Sequence, residues 1–367
     1  MKKTLLRSPL CRPALRRSPR LLAAALLCLF AVPASAADEG KKGAGESDEE
    51  IAAIAGDLPP AGGAADRFGE QIAAALDTPA VSPAGTAASH VDLAYGEHPR
   101  QRFDLWLAEG DGPRPLAVFI HGGGFRRGDK ALLRRSAFLD RLLAAGISVA
   151  GLNYRFSKQH PEGTLGSLRD IARGVQHLRH HAAEYGIDGS RVGAFGGSAG
   201  GAASLWLAFR DDLAEPDSTD PVARQSSRIA CAGAMAAPAT LDLLAWREIL
   251  GISERQMLRA AASFGVRDES ELRSAAAEEL RREADFRALL SPGDSPFYMR
   301  NGDPDEPPEG VGPMAHHPRH ARVLKERADA VGVEAVVYAP GLGLEDPSGE
   351  DLVAFFVRHL RSSGGKE

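Results

Sequence analysis

From Leu116 to the C-terminal end, short apolar runs alternate with longer amphipathic stretches, and no other feature restricts the fold as much. The runs "PLAVFIH", "ISVAGLNY", "RVGAFGG", "IACAGAMAA", "SPFYMRNG" and "EAVVYAP" read as strands. The first is a continuous apolar run, as strands covered on both faces are, and the second reads as another buried strand. Helical patterns fall between them, over Lys130–Ala145, about Thr164–Tyr185, Ala199–Phe209, about His316–Ala330 and Glu350–Arg361. Strand, helix, strand in succession predicts a mostly parallel sheet with helices on both faces, an α/β architecture. Ahead of it, "VDLAYG" and "RFDLWLAEG" alternate apolar and polar residues as a hairpin does. Thr240–Phe286 is charged and almost wholly helical, which makes it an insertion or cap, at about 240–286, rather than sheet. With 367 residues, 44% of them hydrophobic, the chain has enough apolar material for one such domain, placed at 88–362 with a tail at 363–367.

The first residues stand outside that pattern. Residues 1–36 carry basic residues from Lys2 to Arg20 and no acid, then the apolar run "LLAAALLCLFAV", then "PASA" with small residues at Ala34 and Ala36. This is the layout of a cleaved secretory signal, and it predicts an exported bacterial protein, periplasmic or secreted, with no stable membrane insertion after cleavage. Residues 37–87, rich in Ala, Gly, Asp and Glu, read as a flexible linker with two short helical stretches, "EEIAAIAGDL" and "ADRFGEQIAAALD". Cleavage would leave 37 basic residues against 49 acidic ones, a net charge near −12, a surface that does not invite nucleic acid or anionic membranes, so neither is expected as a partner. Cys11 and Cys28 would leave with the signal, so Cys231 remains alone and no intrachain disulfide can form.

Two glycine-rich segments carry chemistry. Gly196-Gly197-Ser198-Ala199-Gly200 fits G-x-S-x-G, and it sits between an apolar strand and a helix. The glycines let the chain turn sharply, so that Ser198 projects at the carboxyl edge of the sheet with the helix dipole behind it. His121-Gly122-Gly123-Gly124 follows another strand. Its three glycines expose backbone N–H groups that, with the N–H of Ala199, can point at one oxygen as an oxyanion hole. His121 reads as a brace for that loop.

With these residues on the page, the chain resembles the α/β-hydrolase esterases and lipases, close to the hormone-sensitive-lipase-like and feruloyl-esterase-like (BD-FAE) carboxylesterases. "HGGGFRRGDK", "LNYRFS", "LRDIARGVQHLRHHAAEYGIDGSRVGAFGGSAGG" and "NGDPDE…VYAPGLG" carry the resemblance, over about Val91–Leu360. It implies hydrolysis of a small or carbohydrate-linked carboxylic ester through an acyl-serine on Ser198, with no cofactor and no metal. It also implies oxyanion donors at Gly123, Gly124 and Ala199, an aspartate after the penultimate strand, Asp305 by spacing or Asp303, and a histidine after the last strand.

That histidine is absent. The "PG-x-GH" pattern aligns with Pro340-Gly341-Leu342-Gly343-Leu344, and leucine cannot accept a proton. A serine at its free pKa is a poor nucleophile without a base. Of the eleven histidines, His316 and His317 in "MAHHPRHA" precede a helix that begins on the serine's edge of the sheet. Two expectations follow: either His316 or His317 replaces the base, oriented by Asp305 or Asp303, or the chain is a catalytically impaired scaffold that binds without turnover. Metal binding by His316, His317, His320 and the two aspartates is a third reading, without any recognised ligand spacing.

Overall fold

The computed structural model describes residues 64–263 and 269–361. The signal segment, the first part of the linker and the tail lie outside the described residues. Among the described residues, eight strands form one sheet in the order β1-β2-β4-β3-β5-β6-β7-β8. They are β1 His90–Ala94, β2 Arg102–Trp106, β3 Arg114–Ile120, β4 Ser148–Leu152, β5 Ile187–Gly197, β6 Ala232–Met235, β7 Phe297–Arg300 and β8 Ala335–Tyr338. β2 runs antiparallel to both β1 and β4, and every other pairing is parallel.

Side-chain alternation along each strand feeds two cores. On β3, Leu116, Val118 and Ile120 join one cluster and Ala117 and Phe119 the other. Helices Thr164–His180, Ala199–Phe209 and Pro318–Val331 cover the first face through Leu168, Ile171, Trp206 and Leu324. Helices Ala137–Ala144 and Leu352–Arg361 cover the second through Leu139, Leu142, Phe355 and Phe356. The stretch read as one helix from Lys130 opens instead as a 3₁₀ turn, Lys130–Arg135, and is re-capped at Ser136. The N-terminal stretch read as linker behaves differently from a spacer: helix Ala64–Leu76 lays Ala75 into the second core, and the Ala84 amide donates to Asp140 Oδ2 at 2.9 Å.

Helices Leu243–Leu250, Glu254–Ser263 and Ala275–Ala284 occupy the segment expected as a cap. The first two build a third apolar cluster from Leu243, Trp246, Ile249 and Met257, and that cluster takes in Leu272 from helix Glu269–Leu272 and Met314 from the stretch after β7. Cap and post-β7 segment therefore share one small core. Among the described residues, no helix is long and apolar enough to cross a membrane.

Candidate active site

β5 ends in the bend the glycines predict. Ser198 takes φ 52°, ψ −118°, a conformation costly for a residue with a Cβ, of order 1–3 kcal/mol. Its N–H donates to Met235 O at 2.8 Å, and its carbonyl starts the helix by accepting from Ala202 at 2.9 Å. Two glycines make the bend possible by close approach. A Cβ on Gly196 would stand 2.1 Å from Ile120 O, and one on Gly200 1.9 Å from the same oxygen. Helix Ala199–Phe209 thus packs its first turn directly on the end of β3.

The HGGG loop leaves β3 at that point. Gly122 lies against Ser198, so that a Cβ there would meet Gly197 O at 2.9 Å and Ser198 Cβ at 3.6 Å. Gly123 and Gly124 have φ of +107° and +62°, which side chains rarely adopt. Among the described residues, no acceptor takes the N–H of Gly123, Gly124 or Ala199. His121 is fully buried and braces the loop: its Nδ1–H donates to Gly122 O at 2.9 Å, and its ring stacks on Tyr154 at 4.3 Å. No motif marks Arg100, whose guanidinium donates to Tyr154 O (2.9 Å), Gly128 O (3.0 Å) and His121 Nε2 (3.3 Å). It fastens the loop from outside.

The three histidines after β7 go to three different places. His316 closes the short helix Val311–His316, and its Nε2 stands 2.9 Å from Ser198 Oγ, close enough to accept the hydroxyl proton. His317 faces elsewhere: its Nε2–H donates to Glu306 O at 2.9 Å, while its Nδ1 caps the next helix by accepting the Arg319 N–H at 3.3 Å. His320 is buried against Trp246 and donates from Nε2 to Met314 O at 2.9 Å, and its Nδ1 has no partner among the described residues. The rings do not converge, and among the described residues no group of three candidate ligands could hold a metal ion.

The expected aspartate is not at the base. Asp305 binds the Arg319 guanidinium at 2.7 Å and reaches only His317, at 3.8 Å. Asp303 is exposed, in a loop that presses against Gly341. Among the described residues, no carboxylate lies within ion-pair distance of His316, because Arg319 lies one turn along the same segment and takes Asp305 first. Leu344 pairs with Ala339 in a β-bridge and packs on the first core, an apolar role that the histidine expected there could not fill. An Asp305→Asn variant should keep turnover within about threefold and lose less than about 1 kcal/mol, since its ion pair is partly solvated. Parallel esterase assays and urea melts check this.

Burial sets the charge of the rings. It lowers His316 and His121 from 6.5 to about 4, and His320 to about 3. His316 is therefore neutral, with a lone pair available, at any pH above about 4. An unfolded chain takes up these protons near pH 6.5 while the folded chain resists them, so stability is lost as pH falls below that value. Each ring contributes a slope of roughly 1.4 kcal/mol per pH unit. The melting temperature should fall steadily from pH 7 to 5; calorimetry showing a flat profile would mean that the rings are charged inside the fold.

Strand order, serine bend and helices on both faces define an α/β-hydrolase. The BD-FAE family profile matches residues 103–306, more than half of the chain, and the chain belongs to that family. It is similar to a probable isoprenylcysteine alpha-carbonyl methylesterase of Arabidopsis thaliana, 32% identical over 139 residues that cover 37% of this chain and 28% of that one. It is also similar to the fumonisin B1 esterase of Sphingopyxis macrogoltabida, 31% identical over 127 residues, 30% of this chain and 23% of that one. The matches thus span under a third of these relatives' length. Among solved structures, a truncated carbohydrate esterase from gut microbiota shares the fold with a TM-score of 0.58 at 18% identity, covering 76% of this chain and 99% of that one.

Proposed function

We propose that this chain is an exported carboxylic ester hydrolase that works through an acyl-serine with a Ser198–His316 pair. The single observation that carries the reading is the 2.9 Å contact between Ser198 Oγ and His316 Nε2. Ser198 Oγ attacks the ester carbonyl as its proton passes to His316 Nε2. The amides of Gly123, Gly124 and Ala199 receive the negative oxygen of the tetrahedral intermediate. The imidazolium then returns the proton to the leaving alcohol, and the ester C–O bond breaks. Water, deprotonated by the same nitrogen, releases the acid and frees Ser198. The substrate is a small ester or one borne on carbohydrate. The methylesterase and fumonisin esterase names of the relatives favour an ester bond as the target. Export rests on the layout of residues 1–36.

The absent carboxylate sets the expected rate. In a serine protease, loss of the triad aspartate alone costs about 3 × 10⁴ in turnover. An imidazolium forming in a dry site with no counter-charge is disfavoured in the same way, so turnover should be slow beside that of a complete triad. One observation, that missing carboxylate, favours the second reading, a scaffold that binds esters without turning them over.

A fluorophosphonate probe on the purified protein tests the proposal, with Ser198→Ala as control. Labelling of the wild type alone, accompanied by p-nitrophenyl acetate hydrolysis that Ser198→Ala lacks, is the expected result. An unlabelled wild type with a background equal to that of Ser198→Ala would favour the scaffold.

A further inference from the structure

Asn301 is the first residue after β7, where the family's acid loop begins, and it is wholly buried. Its side chain uses every polar atom. Oδ1 accepts the Ala237 N–H at 3.3 Å. Nδ2 donates to Ala237 O, His316 O and His317 O, each at 3.1 Å, two hydrogens shared among three carbonyls. Its own N–H donates to Tyr338 O at 3.0 Å. Ala237 lies two residues beyond Met235, whose carbonyl holds the Ser198 N–H. One amide therefore joins the strand edge that fixes the serine to the chain that carries His316.

His316 needs such a hold. It ends a helix of six residues, too short to persist by its own hydrogen bonds. The chain leaves that helix at His317, with ψ 138°, so the His316 carbonyl has no next turn to accept from, while the His317 carbonyl also accepts the His320 N–H at 3.1 Å as the cap of the following helix. Among the described residues, the His316 ring has one polar partner, Ser198. In an ordinary triad a carboxylate grips the ring of the base. Here the grip is on its main chain.

Resting on the proposed function, we propose that Asn301 is the positioning residue of this site: it holds His316 over Ser198 through the His316 and His317 carbonyls, in place of the aspartate that orients the ring elsewhere. It touches no substrate. Removing the amide lets the short helix end drift and the ring meet water, which separates the base from the hydroxyl without altering the ester-binding surface.

The experiment uses the whole mature chain with p-nitrophenyl acetate, comparing wild type, Asn301→Ser and Asn301→Ala, with rates taken per folded molecule from near-UV circular dichroism. Expected are a fall in kcat of at least tenfold, a KM within about threefold, and an acid limb of kcat/KM that moves up from near pH 4 toward the ordinary imidazole range, with Asn301→Ser intermediate. A lost fold contact alone would not move that limb. If wild-type turnover needs Ser198 and His316 while both Asn301 variants keep kcat and the acid limb, this proposal fails and the proposed function stands. If Ser198→Ala is as active as wild type, the proposed function fails with it. Variants that both fail to fold would assign Asn301 to holding the sheet together, and would also overturn the proposal.

Discussion

His316→Ala should lower p-nitrophenyl acetate turnover by about a hundredfold, to the level of Ser198→Ala, while His317→Ala stays within a few-fold of wild type. The size follows from the missing acid. Removing the base from a complete protease triad costs about 2 × 10⁶, and removing the aspartate alone costs about 3 × 10⁴. A site that already lacks the carboxylate has only the remaining factor of roughly a hundred to lose. The contrast with His317 comes from geometry. Its two nitrogens go to Glu306 O and the Arg319 N–H, so its loss costs a helix cap, about 1 kcal/mol, and no proton transfer. Steady-state kinetics on the three variants decide it. Equal losses from His316→Ala and His317→Ala would show that the two rings exchange places over the serine.

The second large effect is on the fold. Gly200→Ala should cost roughly 3 kcal/mol or more and yield little soluble protein. In an exposed helix the same change gains about 1 kcal/mol, because alanine is the better helix former. Here the added carbon would stand 1.9 Å from Ile120 O and 3.1 Å from the His121 carbonyl carbon, both backbone atoms. No side chain can swing aside to relieve that contact. β3 must move off the helix, and the HGGG loop moves with it, away from Ser198. Denaturant melts measure the cost; a variant as stable as wild type would show that the two segments do not pack so closely. Gly69, an exposed helical position with nothing within 4 Å of its added carbon and no positive φ, is a suitable control for crowding.

The sheet was legible because each strand declares itself over a few consecutive residues. The serine bend was legible for the same reason: its glycines lie within three residues of Ser198. The cap was legible from charge and helical period. What lay beyond reading depended on which carbonyl or carboxylate a side chain meets across the fold. His316 and His317 are adjacent, and nothing local separates them; only the turn at His317 sends one ring to the serine and the other to Glu306. Asp305 has the spacing of an acid residue, yet Arg319 binds it, and that pairing joins two segments whose approach the spacing does not report. Asn301 gave no sign, since it acts through main-chain atoms that every residue possesses. Residues 64–87 read as spacer by composition, although one small alanine, Ala75, fits the second core.

Met314, two residues before His316, belongs to the apolar cluster of the cap. Any repacking of that cluster is therefore felt two residues from the ring that stands 2.9 Å from Ser198 Oγ. Roof and proposed base thus hang on one apolar joint, and a substitution that reshapes the helices above carries its effect to the residue facing the serine.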